Sequence, residues 1–508
     1  MKYPDFPQNK DSKEYKLHRR IEMIPGILTW GTLLGSVFLS FVWPVAAVIL
    51  IIFYDIFWLI KVFVITVHSV IAFSRLGKAK KENWLKKCEN LGTKDGLNLK
   101  NVYHLIIIPY YNEGLEILEP GIKSIVDSNY PNDRIIISMS SEERAGKQAN
   151  QKQEILKQKY GSEFKAFLTS VHPDIKGRMK VKSNNANWGA KRAVKYLKKE
   201  NIDFDKVIVS NFDCDSCIHR EYLGAASYHF IKTKKRYKSS YQPLPVYNNN
   251  IWDAIALVRI IALGCSFWHM IESTRPERLV TFSSHSMSLR ALMEVGFWQE
   301  DVISDDSAIF WQCYIYYNGD YRVQPLYLPV SMDATLSNCF LKTIVNQYKQ
   351  KRRWAYGVEN FPRVVRAFLK NSKIPFTERL RLSFIMLEGH YSWATSSLII
   401  LLLGWLPLII GGNEFNETVL SHSLPVITKN LLTVGMIGLI VSMFLSFFML
   451  PPKPKKYGKL KYLSIFFQWL LIPLVAPLFG IPAIESQTRL MLGKYFKSFW
   501  VSEKMRKE

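Results

Sequence analysis

Lys206-Val207-Ile208-Val209-Ser210-Asn211-Phe212-Asp213-Cys214-Asp215 is the stretch on which the fold turns. It reads as a short buried strand that delivers two acids at its end. In a parallel α/β sheet, ligands bind in the crevice beyond the carboxyl ends of the strands. One residue separates Asp213 from Asp215, so both side chains point the same way. Such a pair suits Mg2+ or Mn2+, which takes one or two carboxylates and leaves other positions to substrate phosphates. The bland alternative is a polar turn.

Residues 76–380 continue the pattern outward, with strand and helix signals alternating as in a mixed or parallel sheet covered by helices. His104 to Ile108 predicts a buried strand ending at Pro109, followed by a helix over 114–128 and a second strand from Arg134 to Met139. The expected class is α/β, Rossmann-like, with an α-helical transmembrane region beside it.

That second region lies on both flanks. Residues 1–22 read as a basic cytoplasmic arm, and residues 23–54 carry no charged side chain. Trp43-Pro44 divides the apolar run, which predicts two spans near 25–43 and 44–64 within the segment 23–75. Residues 251–271 read as an amphipathic helix against the sheet or in the interface, because Asp253 and Arg259 interrupt them. Two further spans are expected near 390–411 and 430–450, within 381–450. The segment 451–508 then combines a Lys/Pro loop, an apolar stretch over 462–483, and a basic tail with Arg489, Lys494, Lys497, Lys504, Arg506 and Lys507. Pro473, Pro477 and Pro482 favour a re-entrant or interfacial segment, which leaves the tail inside.

The net charge of +25 suits anionic lipid or phosphorylated substrates. Nucleic acid is set aside, since the chain lacks zinc-finger, basic-zipper and RNA-binding signatures. Cys214 and Cys217 form a lone C-x-x-C without a second pair, which reads as structural thiols in a reducing compartment.

Two more motifs carry chemistry. Asp305-Asp306 follows Val302-Ile303-Ser304; a carboxylate there suits a general base, or else the first turn of a helix with Ser304 as N-cap. Gln350-Lys351-Arg352-Arg353-Trp354 offers hydrogen bonds and positive charge to a diphosphate and an indole face to a sugar ring. Lys349 and Arg352 read as interfacial anchors.

In chain order these elements resemble the membrane-embedded family 2 glycosyltransferases of the cellulose, chitin and hyaluronan synthase type, over about residues 100–360. The resemblance implies a GT-A-like cytoplasmic domain. The segment Pro109-Tyr110-Tyr111-Asn112-Glu113 and the acids Glu142 and Glu143 would hold the nucleoside, with Pro109, Tyr111 and Glu113 in contact. Asp213 would bind donor and, with Asp215, the metal. Asp306 would be the base and Asp305 its neighbour, while Gln350 and Arg353 hold the diphosphate and Trp354 the acceptor. Phe499-Trp500-Val501-Ser502-Glu503-Lys504 looks like the synthases' gating motif. Three places depart from the family pattern: Ser141-Glu142-Glu143 replaces Asp-Asp, the Lys182–Lys191 segment is loosely spaced, and Phe282-Ser283-Ser284-His285-Ser286 replaces Phe-Phe-Cys-Gly-Ser.

The function these expectations describe is a metal-dependent, inverting transferase of the inner or plasma membrane, multi-pass, building a polysaccharide from a nucleotide-sugar, with UDP-sugar as donor. Its partners would be that donor, a glycan or lipid-linked acceptor, the lipid bilayer, and a second copy or accessory subunits. Single transfer to a lipid or polyprenyl-phosphate is the alternative. A silent membrane scaffold or transporter is the reading from another class.

Overall fold

In the computed structural model, residues 2–93, 96–498 and 500–506 are described. Phe499 and Lys507, named above, lie outside the described residues.

Eight strands form one mixed sheet: β1 Tyr103–Pro109, β2 Ile135–Glu142, β3 Ala166–His172, β4 Val207–Asn211, β5 Cys217–Ile218, β6 Ser239–Tyr247, β7 Ser286–Ser288 and β8 Arg322–Met332. Their spatial order is β3-β2-β1-β4-β7-β6-β8-β5. The first four are parallel, and β7 pairs antiparallel with both β4 and β6. Runs such as Leu105–Ile107 and Ile135–Ile137 are fully buried, as strands covered on both faces must be. After β1 the chain steps outward to β2 and β3, then returns to the other side of β1 as β4. The crevice between the ends of β1 and β4 is therefore the topological switch point, and it holds Pro109–Glu113 on one lip and Asp213–Asp215 on the other.

The helices run Lys13–Val42 and Pro44–Lys81, then Phe376–Leu401 with the short Leu406–Ile410, Val419–Phe448 and Ile472–Met491. Among the described residues four helices are long and apolar enough to cross a membrane, or up to five if the pair bent by 44° beyond Leu401 is one span. Trp43 breaks the first two helices where the Trp-Pro pair predicts. Both, however, outrun the expected spans: the first begins at Lys13, inside the basic arm, and the second runs 38 residues, about 57 Å at 1.5 Å per residue. The excess is helical because its end has a protein surface to bury against, with Ala79 packed among Ala225 and Leu328.

The helix Ala256–Ser273 satisfies the length and composition of a span but is mostly buried. Leu263, Phe267 and Met270 pack on Leu244 and Val246 of β6 and on Ala72 and Leu76 of the second long helix. It thus lies between the sheet and the second long apolar helix. The segment 462–483 is broken into Leu460–Phe467, a 3-10 turn Gln468–Leu471 and the start of Ile472–Met491. Arg19 caps the far end of that last helix, donating from Nη1 to the Leu490 carbonyl at 2.7 Å and from Nη2 to Met491 at 2.8 Å. Beyond it the tail folds back onto the α/β domain.

Lys349 and Arg352 are not free interfacial anchors. Lys349 lies 3.8 Å over the Trp500 ring of the tail, and Arg352 pairs with Glu485 at 2.9 Å. Ser304 also differs from expectation. It precedes the helix Asp305–Tyr316, but its hydroxyl makes no capping bond to the helix and instead donates to Glu359.

Candidate active site

The site is built on the end of β4. Asp213, Cys214 and Asp215 follow the strand, and Lys182, the first residue of the helix Lys182–Lys199, reaches them from the opposite wall. Its Nζ lies 2.6 Å from Asp213 Oδ1 and 3.3 Å from Asp306 Oδ1. One ammonium thus joins the two acidic motifs the sequence singled out. Burial alone would raise the Asp213 carboxyl, but Lys182 and then Lys504 hold it below the usual range. Ser283 adds a hydrogen bond of 2.6 Å to its other oxygen.

Asp215 is wholly buried. Lys504 of the tail meets its Oδ1 at 2.6 Å, and the Asp333 amide donates to Oδ2 at 2.7 Å. Asp333 in turn takes Arg506 through two nitrogens, Nη2 at 2.8 Å and Nε at 3.2 Å. The gating-like segment therefore places its lysine on the second acid of the Asp-x-Asp. Asp213 and Asp215 each gather an ammonium at 2.6 Å, so the pair attracts concentrated positive charge. That fits a divalent ion delivered with a diphosphate. No third His, Cys, Asp or Glu completes a ligand set among the described residues, so substrate oxygens would have to fill the remaining positions.

Asp305 and Asp306 open their helix, where the dipole favours negative charge. Burial, then the neighbouring Asp306 charge, pushes the Asp305 carboxyl up to about 7, with Lys182 opposing. Glu359 fixes this turn. Its Oε1 accepts from the Ile303 amide at 2.7 Å, the Ser304 amide at 2.9 Å and the Ser304 hydroxyl at 2.9 Å. Asn360 donates to the Ser304 and Ser307 hydroxyls. The stretch following Trp354 therefore holds the turn that carries the candidate base.

The helix Phe340–Ala355 brings in the third motif. Arg353 interacts electrostatically with Asp213, Asp306 and Asp305, and burial lowers its pKa against their pull. The Gln350 carbonyl oxygen accepts from the Thr335 hydroxyl at 2.9 Å and the Gln347 amide at 3.2 Å. Trp354 is half-buried, its ring 5.5 Å from Tyr247.

On the other lip, the Tyr111 amide donates to Glu113 at 2.8 Å, and the Arg144 guanidinium lies 4.6 Å over the Tyr111 ring while pairing with Glu142. Glu142, Arg144, His172, Asp174, Arg178 and Asn184 are among the residues lining a cavity beside them. Glu143 accepts the Asp174 amide at 2.9 Å, beside the same cavity. Pro109 ends β1 at the mouth of the crevice.

Sequence reasoning left Lys182 in a loosely matched segment and missed Glu359, Asp333 and the tail pairings. Glu359 did carry a signal, an acid between Val358 and Asn360-Phe361 that burial would force to find donors.

Residues 208–451 match the family described as Glycosyl transferase family group 2. Over 153 residues, 30% of this chain, the sequence is 28% identical to the poly-beta-1,6-N-acetyl-D-glucosamine synthase of Staphylococcus epidermidis. That match spans 33% of the synthase, about a third of its length. Two solved structures align more widely. The mannosyltransferase PcManGT from Pyrobaculum calidifontis, in complex with GDP-Man and Mn2+, covers 88% of this chain and 100% of its own at 13% identity, with a TM-score of 0.44. S. aureus TarS 1-349, in complex with UDP-GlcNAc, covers 78% and 93% at 12% identity, with a TM-score of 0.38. The matched stretch, just under half of the chain, holds the Asp213–Asp215, Asp305–Asp306 and Gln350–Trp354 motifs, so a glycosyltransferase sequence of family group 2 carries the greater part of the candidate site.

Proposed function

We propose that this chain is a membrane-embedded, inverting glycosyltransferase that takes a sugar from a UDP-sugar and adds it to a growing polysaccharide. The observation that carries the reading is Lys182, whose single ammonium touches Asp213 on the donor side and Asp306 on the acceptor side. The Staphylococcus relative is a polysaccharide synthase, which supports a polymeric product.

In this reading Asp306 takes the proton of the acceptor hydroxyl as that oxygen bonds to the anomeric carbon. The bond from that carbon to the diphosphate breaks on the opposite face, and its electron pair leaves with the nucleotide. Lys182 and Arg353 offset the charge that develops, from positions fixed before the reaction. The Gln350 amide orients the diphosphate, and Trp354 stacks on the acceptor ring. Mg2+ or Mn2+, held by Asp213 and Asp215, would neutralise the donor diphosphate when bound.

Two variants separate donor from acceptor. Trp354→Ala is expected to keep UDP affinity and to shorten or abolish polymer, read by chromatography of product from labelled donor. Arg353→Ala is expected to weaken UDP binding at least about tenfold, the loss of a charge-assisted hydrogen bond to phosphate. Equal loss of UDP binding in both would reduce the motif to a structural element.

In this reading the domain lies on the cytoplasmic face. Lys and Arg at the start of the first helix, at the end of the second and in the loop 453–461 support this through the positive-inside rule. In a Cys339→Ser background, Lys10→Cys and Lys497→Cys should resist an impermeant thiol reagent in intact cells, and Asn416→Cys should react. A reactive Lys497→Cys would put the tail, and with it the domain it touches, outside.

A further inference from the structure

Two serines bracket the acidic pair, and neither hydroxyl is free to turn. Ser304 Oγ donates to Glu359 at 2.9 Å, and Ser307 Oγ donates to the Ser304 carbonyl at 3.1 Å. A hydroxyl has one proton, so each can only accept from its other neighbour. That neighbour is Asn360, whose Nδ2 lies 2.9 Å from Ser304 Oγ and 3.1 Å from Ser307 Oγ. The amide must therefore face them with its nitrogen, and its oxygen needs a donor from elsewhere. Tyr3 supplies it, its hydroxyl donating to Asn360 Oδ1 at 2.7 Å. Both side chains are buried, which keeps bulk water from competing for the bond. The protons thus run one way, from Tyr3 through Asn360 to Ser304 and Glu359, and each bond polarises the next.

Residues 3–6 are held from two sides. One side is the loop ahead of the acids, where Gln299 Nε2 donates to Asp5 Oδ1 at 2.7 Å and the Phe6 amide donates to Asp301 Oδ2 at 3.3 Å. The other is the helix Asn360–Lys370, from which Arg366 Nη1 donates to the Asp5 carbonyl at 3.3 Å. Arg363 ties the two sides together, with Nη1 2.9 Å from Asp301 Oδ1 and Nη2 3.1 Å from the Asp301 carbonyl. Both guanidinium groups are buried. The Phe6 ring lies 5.1 Å from the rings of His18 and Tyr495. Tyr3 is thus the inner point of a strap wedged between the loop that leads to the acids and the helix that carries Asn360.

We propose that Tyr3 is a positioning residue for the transfer step: its hydroxyl orients the Asn360 amide, and that amide holds the two serines that set the direction of the Asp306 carboxylate. The proposal rests on Asp306 being the base. Without the Tyr3 proton the Asn360 oxygen loses this donor, and the amide can turn over to seek another. Its oxygen would then face two hydroxyls already committed as donors, and one of them must leave Glu359 or the Ser304 carbonyl. The turn loosens at the base, while the donor side keeps its contacts among Asp213, Lys182 and Ser283. A misplaced base lowers rate without lowering affinity for the nucleotide.

The test compares the parent, Tyr3→Phe, Asn360→Ala and the double variant in the full-length protein. It reads kcat and KM for the UDP-sugar, UDP affinity, and the number of UDP-binding sites per chain. Phenylalanine keeps the ring and removes only the hydroxyl. Turnover per UDP-binding site should fall about tenfold in Tyr3→Phe, a share of the roughly hundredfold loss that a displacement of about 1 Å can cause, with KM and UDP affinity parental. Asn360→Ala should lose at least as much, and adding Tyr3→Phe to it should cost nothing further, because the two act in one chain. If Asn360→Ala does not fold, Asn360→Leu, of similar size to the parent side chain, takes its place. An anchor for the fold alone would reduce the number of UDP-binding sites and leave turnover per site unchanged, which would overturn the proposal. So would losses that multiply in the double variant, or a loss of UDP affinity in step with turnover. Asp306→Asn, assayed alongside, keeps the two readings distinct. If it retains turnover, the base assignment fails by itself; if it is inactive while Tyr3→Phe turns over as the parent does, only the present inference fails.

Discussion

Asp306→Asn is expected to lose at least a hundredfold in turnover, about the lower bound for removing a general base, while folding and binding UDP as the parent does. The side chain has two jobs open to it. As the first-turn acid of the helix Asp305–Tyr316 it would contribute about 0.3–1 kcal/mol through the dipole. As the base it must accept a proton during attack, which a carboxamide cannot do at neutral pH. The surroundings make the variant a clean test. Lys182 keeps Asp213 as a partner, and the turn stays fixed by Glu359 and by the Thr281 bond to the Asp306 backbone. Thermal unfolding, UDP binding and turnover on one preparation decide it. Near-parental activity in a folded Asn variant would move the base elsewhere, with Asp305 next.

The second large effect is expected at Asp215. Asp215→Asn keeps shape and can still accept from the Asp333 amide, but gives up the charge. Turnover should fall below detection, and the part of UDP affinity that depends on Mg2+ or Mn2+ should vanish, while UDP affinity in EDTA stays parental. Lys504 also loses its partner while remaining beside Asp333. Removing one member of a buried ion pair typically costs about 3–5 kcal/mol, so the tail should detach and become cleavable by limited proteolysis. If parental UDP affinity is the same with and without metal, Asp213 and Asp215 do not have the role proposed for them.

The parts of this molecule that could be read in advance are those set by local sequence. The apolar run before Asp213 had to be a strand, and its acids had to sit at that strand's end. The Trp43-Pro44 break fell where a proline can begin a helix but not continue one. What could not be read are partnerships across the fold. Lys182 meets Asp213 only because a helix N-terminus faces the switch point, and Lys504 meets Asp215 across nearly 300 residues of chain. Charged residues are abundant here, and nothing in their spacing tells a solvated lysine from one held between two carboxylates. The helices outrun the expected spans for a related reason. Hydropathy marks where lipid is tolerated, whereas the first and second helices continue as far as protein contacts support them, through Lys13 and Lys81.

That second helix bears on the placement of the chemistry. A bilayer's hydrocarbon layer is about 30 Å thick, so an upright rod of about 57 Å stands clear of it by nearly half its length. Its protruding end is moored to the α/β domain through Ala79, and just beyond it the Trp84 amide donates to Glu221 at 2.9 Å. On the proposed membrane placement the rod works as a stilt: it would fix the height of the candidate crevice above the lipid, and a change in bilayer thickness that tilts the helix would carry the sheet with it rather than bend a linker.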